Sequence, residues 1–131
     1  MLLTVQQTHE ELYPATAASV PRARHDLCAY AAQAGVAEDQ LDRIRLAVSE
    51  AVTNAVRHAY RRARGGVQVT ATAVDGELWV LVADDGCGHQ TPATDPGLGW
   101  GLALIAEACD DFILAERSDG GTQAKMRFDV G

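Results

Sequence analysis

Long apolar runs are missing from this chain of 131 residues. None approaches the roughly eighteen residues that a membrane-spanning helix needs, so no membrane partner is expected. The start, Met1 to Gln7, lacks the basic region and apolar core of a secretory signal. Cysteine is scarce and odd in number. Cys28, Cys87 and Cys109 lie too far apart to form a disulfide framework or a zinc signature. That usage fits a reducing, cytoplasmic setting, with Cys28 and Cys109 expected as small core residues. Positive charge is short as well. A formal net charge of −7 excludes a general nucleic-acid binder, which needs clustered cations to neutralise phosphates. The one basic cluster, Arg57, His58, Arg61, Arg62 and Arg64, reads as cations facing the negative end of a helix dipole, with a partner-binding patch as the alternative. There is no repeat or low-complexity segment, no Walker A loop, no full dinucleotide fingerprint and no defensible catalytic triad. His9, His25 and His89 show no ligand spacing, and each is expected on or near the surface.

What remains is ordinary globular composition, 47% hydrophobic with 22% charged residues. The length suits one domain, 1–131, burying about two thirds of its unfolded surface without disulfides or structural metal. The first dozen residues alternate loosely, as an edge strand would, up to Pro14. A helix is expected from Ser19, read as its N-cap, to Ala34, with Gly35 ending it. A second should run from Glu38 to about Arg64, burying Leu41, Ile44, Val48, Val52, Ala55 and Ala59. Strands 67–74 and 77–83 flank Asp75-Gly76, a strong hairpin signal. A loop rich in Gly, Pro, Thr and Asp follows, then a short helix near Leu102–Cys109, a strand from Phe112 to Glu116, a turn, and a last strand from Thr122. The fold class is α+β, a two-layer sandwich with helices on one face of a mainly antiparallel mixed sheet.

Four stretches could carry chemistry. Glu50, Asn54 and His58 recur every four residues, so they share one helix face well away from the middle of the apolar stripe. Taken alone, that row reads as a solvated polar face. Asp84-Asp85-Gly86-Cys87-Gly88 closes an apolar strand, where a carboxylate and glycines suit close approach of a ligand, or a plain turn. An ionised Asp only accepts hydrogen bonds and could select an exocyclic amine. Gly97-Leu98-Gly99-Trp100-Gly101 leads into a helix, where free backbone amides can bind phosphate. Gly120-Gly121-Thr122 opens the last strand.

In this order the four stretches resemble the Bergerat, or histidine-kinase-like, ATP-binding fold shared by histidine kinases, Hsp90, gyrase B and MutL. The run Glu50 to Tyr60 is most similar to the small serine kinases that act as bacterial anti-sigma factors. The resemblance implies ATP and Mg²⁺ as cofactors. It implies that Glu50 is the general base toward a substrate serine and that Asn54 holds the Mg²⁺. Asp84 would accept from the adenine amine, supported by Gly88 and Thr122. Gly86 would shape the loop, and Gly99 and Gly101 would let backbone amides reach the phosphates. His58 and Leu102 complete the nucleotide-binding set. The implied partners are an anti-anti-sigma protein and a sigma factor, and a homodimer is compatible. The segment between Gly88 and Gly97, the family's ATP lid, is short, carries Pro92 and Pro96, and lacks any Lys or Arg. A non-catalytic, nucleotide-dependent partner-binding regulator is therefore the alternative function. The catalytic piece of a histidine kinase fits less well, because Glu50 follows His25 too closely for a dimerisation hairpin.

Overall fold

The computed structural model describes residues 8–60, 65–84, 96–116 and 121–131, without the side chains of 58–60 and 96–100. The elements are β1 His9–Pro14, α1 Ser19–Gln33, α2 Glu38–Tyr60, β2 Gly66–Val74, β3 Glu77–Asp84, α3 Pro96–Ala108, β4 Asp111–Glu116 and β5 Thr122–Asp129.

The strands form one sheet in the order β1-β2-β3-β5-β4. All four pairings are antiparallel, which sharpens the expected mainly antiparallel sheet. The β2–β3 hairpin turns through Asp75 (φ 51°) and Gly76 (φ 80°), two successive left-handed residues, as a tight two-residue connection requires. Alternation then decides the faces. Val67, Val69 and Ala71 on β2, Leu78, Val80 and Val82 on β3, and Ala124, Met126 and Phe128 on β5 are buried on one side. Onto that side α2 lays Ile44, Val48 and Val52, flanked by α1 and α3. Fully burying one such aliphatic side chain stabilises by about 1.5–3 kcal/mol, so this layer supplies most of the driving force.

Local chemistry sets the boundaries. At the end of α1, Gly35 takes φ 101° while Gly35 N donates to Ala32 O and Val36 N to Ala31 O. This is a Schellman closure, with buried Val36 as its apolar contact. The expected N-cap is corrected: Ala18 holds that position and makes no side-chain cap, and Ser19 is the first helical residue. Its buried hydroxyl instead donates to Pro14 O at 2.6 Å, tying the helix to the end of β1. The third helix is also corrected, because it begins at Pro96 and takes in the glycine-rich stretch expected as a loop. Proline suits a first helical turn, where its missing N–H removes nothing. The far end expected for α2, 61–64, lies outside the described residues, as does the turn 117–120.

Cys28 and Cys109 are buried, free thiols, as expected, and burial pushes both above the ordinary thiol value. Cys87 lies outside the described residues. His25 is exposed and His9 half-buried beside the Tyr30 ring, while His89 is not described.

Candidate functional site

Four elements, α2, β3, β5 and α3, bring their functional residues to one end of the sheet. The chain leaves α2 there and enters β2, whose Val67 pairs with Asp84 at the end of β3. The pairing of Ala83 with Gln123 brings Gly121 and Thr122, at the start of β5, beside Asp84. The N-terminal half of α3 completes this end by packing on α2.

The α2–α3 contact is close because Gly101 has no side chain. A Cβ at that position would stand 3.1 Å from both amide atoms of Asn54 and 3.2 Å from Glu50 Oε2. Glu50 and Asn54 are therefore half-buried in a crevice, not spread over a solvated face. Asn54 Nδ2 is fully buried and meets no hydrogen-bond partner among the described residues. A buried amide N–H left unpaired costs on the order of 1–3 kcal/mol, so this donor suits an acceptor oxygen brought into the crevice by water or a ligand. Beside Glu50, Arg24 on α1 reaches Ser49 Oγ at 3.3 Å and joins the first two helices.

Asp84 is 1% exposed and faces the helix layer. A Cβ on Gly121 would overlap the Asp84 carbonyl oxygen and stand 3.2 Å from Oδ1. Gly121 is thus what admits the start of β5 to the buried carboxylate. Thr122 follows half-buried, and Leu102 packs partly buried against the core next to Gly101.

Of the residues selected from the sequence, Glu50, Asn54 and Gly101 are brought into contact, and Asp84 and Thr122 meet at the same end. Gly99 lies within α3. The role expected for Gly101 changes: as the sixth residue of α3 it sits past the free amides of the first turn, and it acts through its missing side chain. The Arg57 side chain is exposed. Gly86, Gly88, the segment 85–95, and the side chains of His58 and Trp100 lie outside the described residues, so the expectations placed on them stay as the sequence left them. Gly121 was missed as a site residue, although its doublet with Gly120 was visible.

The model of the histidine kinase-like ATPase domain matches residues 13–128. The chain belongs to that family. Within it, the anti-sigma F factor of Clostridium acetobutylicum is 38% identical over 116 residues, covering 80% of this chain and 81% of the relative. The serine-protein kinase RsbW of Staphylococcus epidermidis is 33% identical over 98 residues, covering 73% and 62%. Among solved structures, the RsbU and RsbW domains of Rv1364c from Mycobacterium tuberculosis superpose with a TM-score of 0.75 at 25% identity, over 95% of this chain and 33% of that longer one. The histidine kinase domain of Erythrobacter litoralis EL346 gives 0.56 at 31% identity, over 70% and 45%. These likenesses put this ATPase domain among anti-sigma factors and serine-protein kinases.

Proposed function

We propose that this chain is an ATP-binding anti-sigma regulatory factor with protein serine/threonine kinase activity. The observation that carries the reading is the crevice at Gly101, where a carboxylate and an unpaired buried amide stand side by side. Relatives named anti-sigma F factor and serine-protein kinase support the same class.

The residues present suit a hard cation. Asn54 and Glu50 offer oxygen donors, and Mg²⁺ is ordinarily held by one or two protein oxygens together with substrate phosphates. When bound, Mg²⁺ would neutralise phosphate charge and ATP would supply the transferable phosphoryl group. The protein's own part is positioning and electrostatics. Asn54 holds the cation side of the crevice. Glu50 accepts the proton of a serine or threonine hydroxyl on the incoming polypeptide. Asp84 accepts from the adenine amine, with Thr122, Gly86 and Gly88 around the base. The free amides of the first turn of α3, those of Gly97 and Leu98, face the phosphates, Gly99 beside them lets that turn come close, and no acidic residue in it opposes them. His58 and Leu102 complete the nucleotide contacts. The phosphoacceptor is an anti-anti-sigma protein, and the sequestered partner is a sigma factor, in the cytoplasm. Among the described residues no helix is long and apolar enough to cross a membrane.

Titration of the wild type and Asp84→Asn with a non-hydrolysable ATP analogue tests the pocket. Binding by the wild type, weakened at least tenfold in the variant, is expected; equal affinities would remove the adenine assignment. A second reading, nucleotide-dependent partner binding without transfer, rests on the absence of Lys and Arg between Gly88 and Gly97. Incubation with a cognate anti-anti-sigma protein separates the two. The kinase reading expects phosphate transfer that Glu50→Gln abolishes while nucleotide binding persists.

A further inference from the structure

At the opposite end of α3 from the crevice, one side chain gathers three elements. Arg43 lies on α2 seven residues before Glu50, two helical turns and about 10 Å along the axis. Its guanidinium donates to Ala108 O at 3.2 Å, to Asp110 Oδ2 at 3.0 Å and to Asp129 O at 2.6 Å. Its Nε donates to Gln40 Oε1 at 2.7 Å, which fixes the side chain on its own helix, and the guanidinium lies 5.5 Å from the centre of the Phe128 ring. Asp110 in turn accepts from Asp129 N at 2.7 Å. The last residue of α3, the turn after it and the end of β5 are therefore fastened to α2 through one group.

Between this fastening and Gly101, α3 buries Ile105 and Ala108. Apolar packing is non-directional, so it registers α3 on α2 less specifically than hydrogen bonds do. Asp110 N also donates to Arg127 O at 2.8 Å, which ties the turn after α3 to β5, but among the described residues the side-chain hydrogen bonds from α2 to this end of α3 belong to Arg43. At the crevice end, by contrast, α3 presents Gly101, which grips nothing and leaves room only for the Glu50 and Asn54 side chains. A small rotation about an unfastened C-terminal end would be carried over the seven residues to Gly101, about 10 Å. It would change how the first turn of α3 stands against Glu50 and Asn54.

We propose that Arg43 is a positioning residue for the nucleotide site. It pins the C-terminal end of α3 and so fixes the crevice that Gly101 forms with Glu50 and Asn54. This rests on the nucleotide-binding reading above for its functional consequence, but not for its structural one. Arg127 provides an internal control. It pairs with Asp111, Glu77 and Asp129, all on strands, and its side-chain bonds hold the sheet together without reaching α2 or α3.

The test compares Arg43→Lys, Arg43→Gln, Asp110→Asn and Arg127→Gln in the full chain. Lys keeps the charge but has three donors on one point, without the planar fork that serves Gln40, Ala108, Asp110 and Asp129 at once. Asp110→Asn leaves Arg43 and its packing in place should the Arg43 variants not fold. Three readouts are taken: affinity for a non-hydrolysable ATP analogue, amide exchange at 102–105, and the side-chain amide resonances of Asn54. The latch expects analogue binding weakened about tenfold, exchange at 102–105 accelerated and the Asn54 resonances moved, in the Arg43 and Asp110 variants alone. Arg127→Gln should lower the melting temperature and leave all three unchanged. Unmoved Asn54 resonances in the Arg43 and Asp110 variants, or an equal affinity loss in Arg127→Gln, would overturn it. If the wild type binds no analogue, the nucleotide reading fails, while exchange and the Asn54 resonances still decide the latch.

Discussion

At the scale of single residues, two glycines separate what the fold requires from what the site requires. In each case the question is which atoms a new methyl would meet. At Gly101 they are the ends of the Asn54 and Glu50 side chains, at 3.1 and 3.2 Å, and such ends can give by a few tenths of an ångström. Alanine is also about 1 kcal/mol better than glycine inside a helix, which offsets much of the crowding. Gly101→Ala should therefore fold with a melting temperature within a few degrees of wild type. Displaced by their new neighbour, Glu50 and Asn54 should lose at least tenfold in phosphate transfer or analogue affinity. At Gly121 the first atom met is the Asp84 carbonyl oxygen, part of a paired strand that cannot step aside. Gly121→Ala should cost about 1–3 kcal/mol or more, as overpacking does. Thermal melts of both variants beside analogue titration check the contrast. A Gly101→Ala protein with unchanged affinity and transfer would sink the crevice argument.

At the scale of elements, strong periodicity was legible and close approach was not. The stripe from Leu41 to Ala55 appears as read, because burial on one helix face imposes that period, and the strands read at 67–74 and 77–83 are there as β2 and β3. The Asp75-Gly76 hairpin and the Gly35 stop were equally plain, since both need left-handed backbone. The start of α3 was misread. Glycines at 97, 99 and 101 argue against a helix by propensity, yet tertiary packing on α2 overrides that preference, and at 101 the bare backbone leaves the Asn54 and Glu50 side chains undisplaced. Pairing of polar groups across elements left no periodic trace either. Tyr30 on α1 shows this: its hydroxyl accepts from Ala73 N at 3.0 Å, just past the point where β1 stops pairing with β2 at Ala71. Tyr30→Phe would strip that N–H of its partner, costing about 1–3 kcal/mol. Urea unfolding should show the loss, with faster amide exchange at Ala73 and unchanged affinity for the ATP analogue. Protection at Ala73 equal to wild type would show that another group satisfies it.

At the scale of the whole molecule, ion pairs among the described residues gather at the end of the sheet away from the crevice. There Glu77, Asp110, Asp111 and Asp129 surround Arg43 and Arg127. Asp110 is the member with the clearest linkage to folding. The Asp129 N–H, and after it the Arg43 guanidinium, hold its carboxyl below the ordinary aspartate value. A carboxyl whose folded pKa is depressed contributes stability that is fully present above its unfolded value, near 3.9, and is lost as pH falls through the folded value. Arg127 is pushed further up, chiefly by its hydrogen bond to Asp111, so it stays charged and the carboxylates alone titrate. The urea midpoint should therefore hold from pH 7 to about 5 and decline below about 4. Asp110→Asn should start from a lower midpoint at pH 7, because the charge-assisted bond to Arg43 is gone, and should decline less steeply in acid. Because the same carboxylate anchors the far end of α3, acid should also loosen the crevice before the domain unfolds. Amide exchange at 102–105 would then rise at a pH where the bulk far-ultraviolet dichroism is still native. Identical acid slopes for wild type and Asp110→Asn, with no early rise in exchange, would place the acid-sensitive group elsewhere.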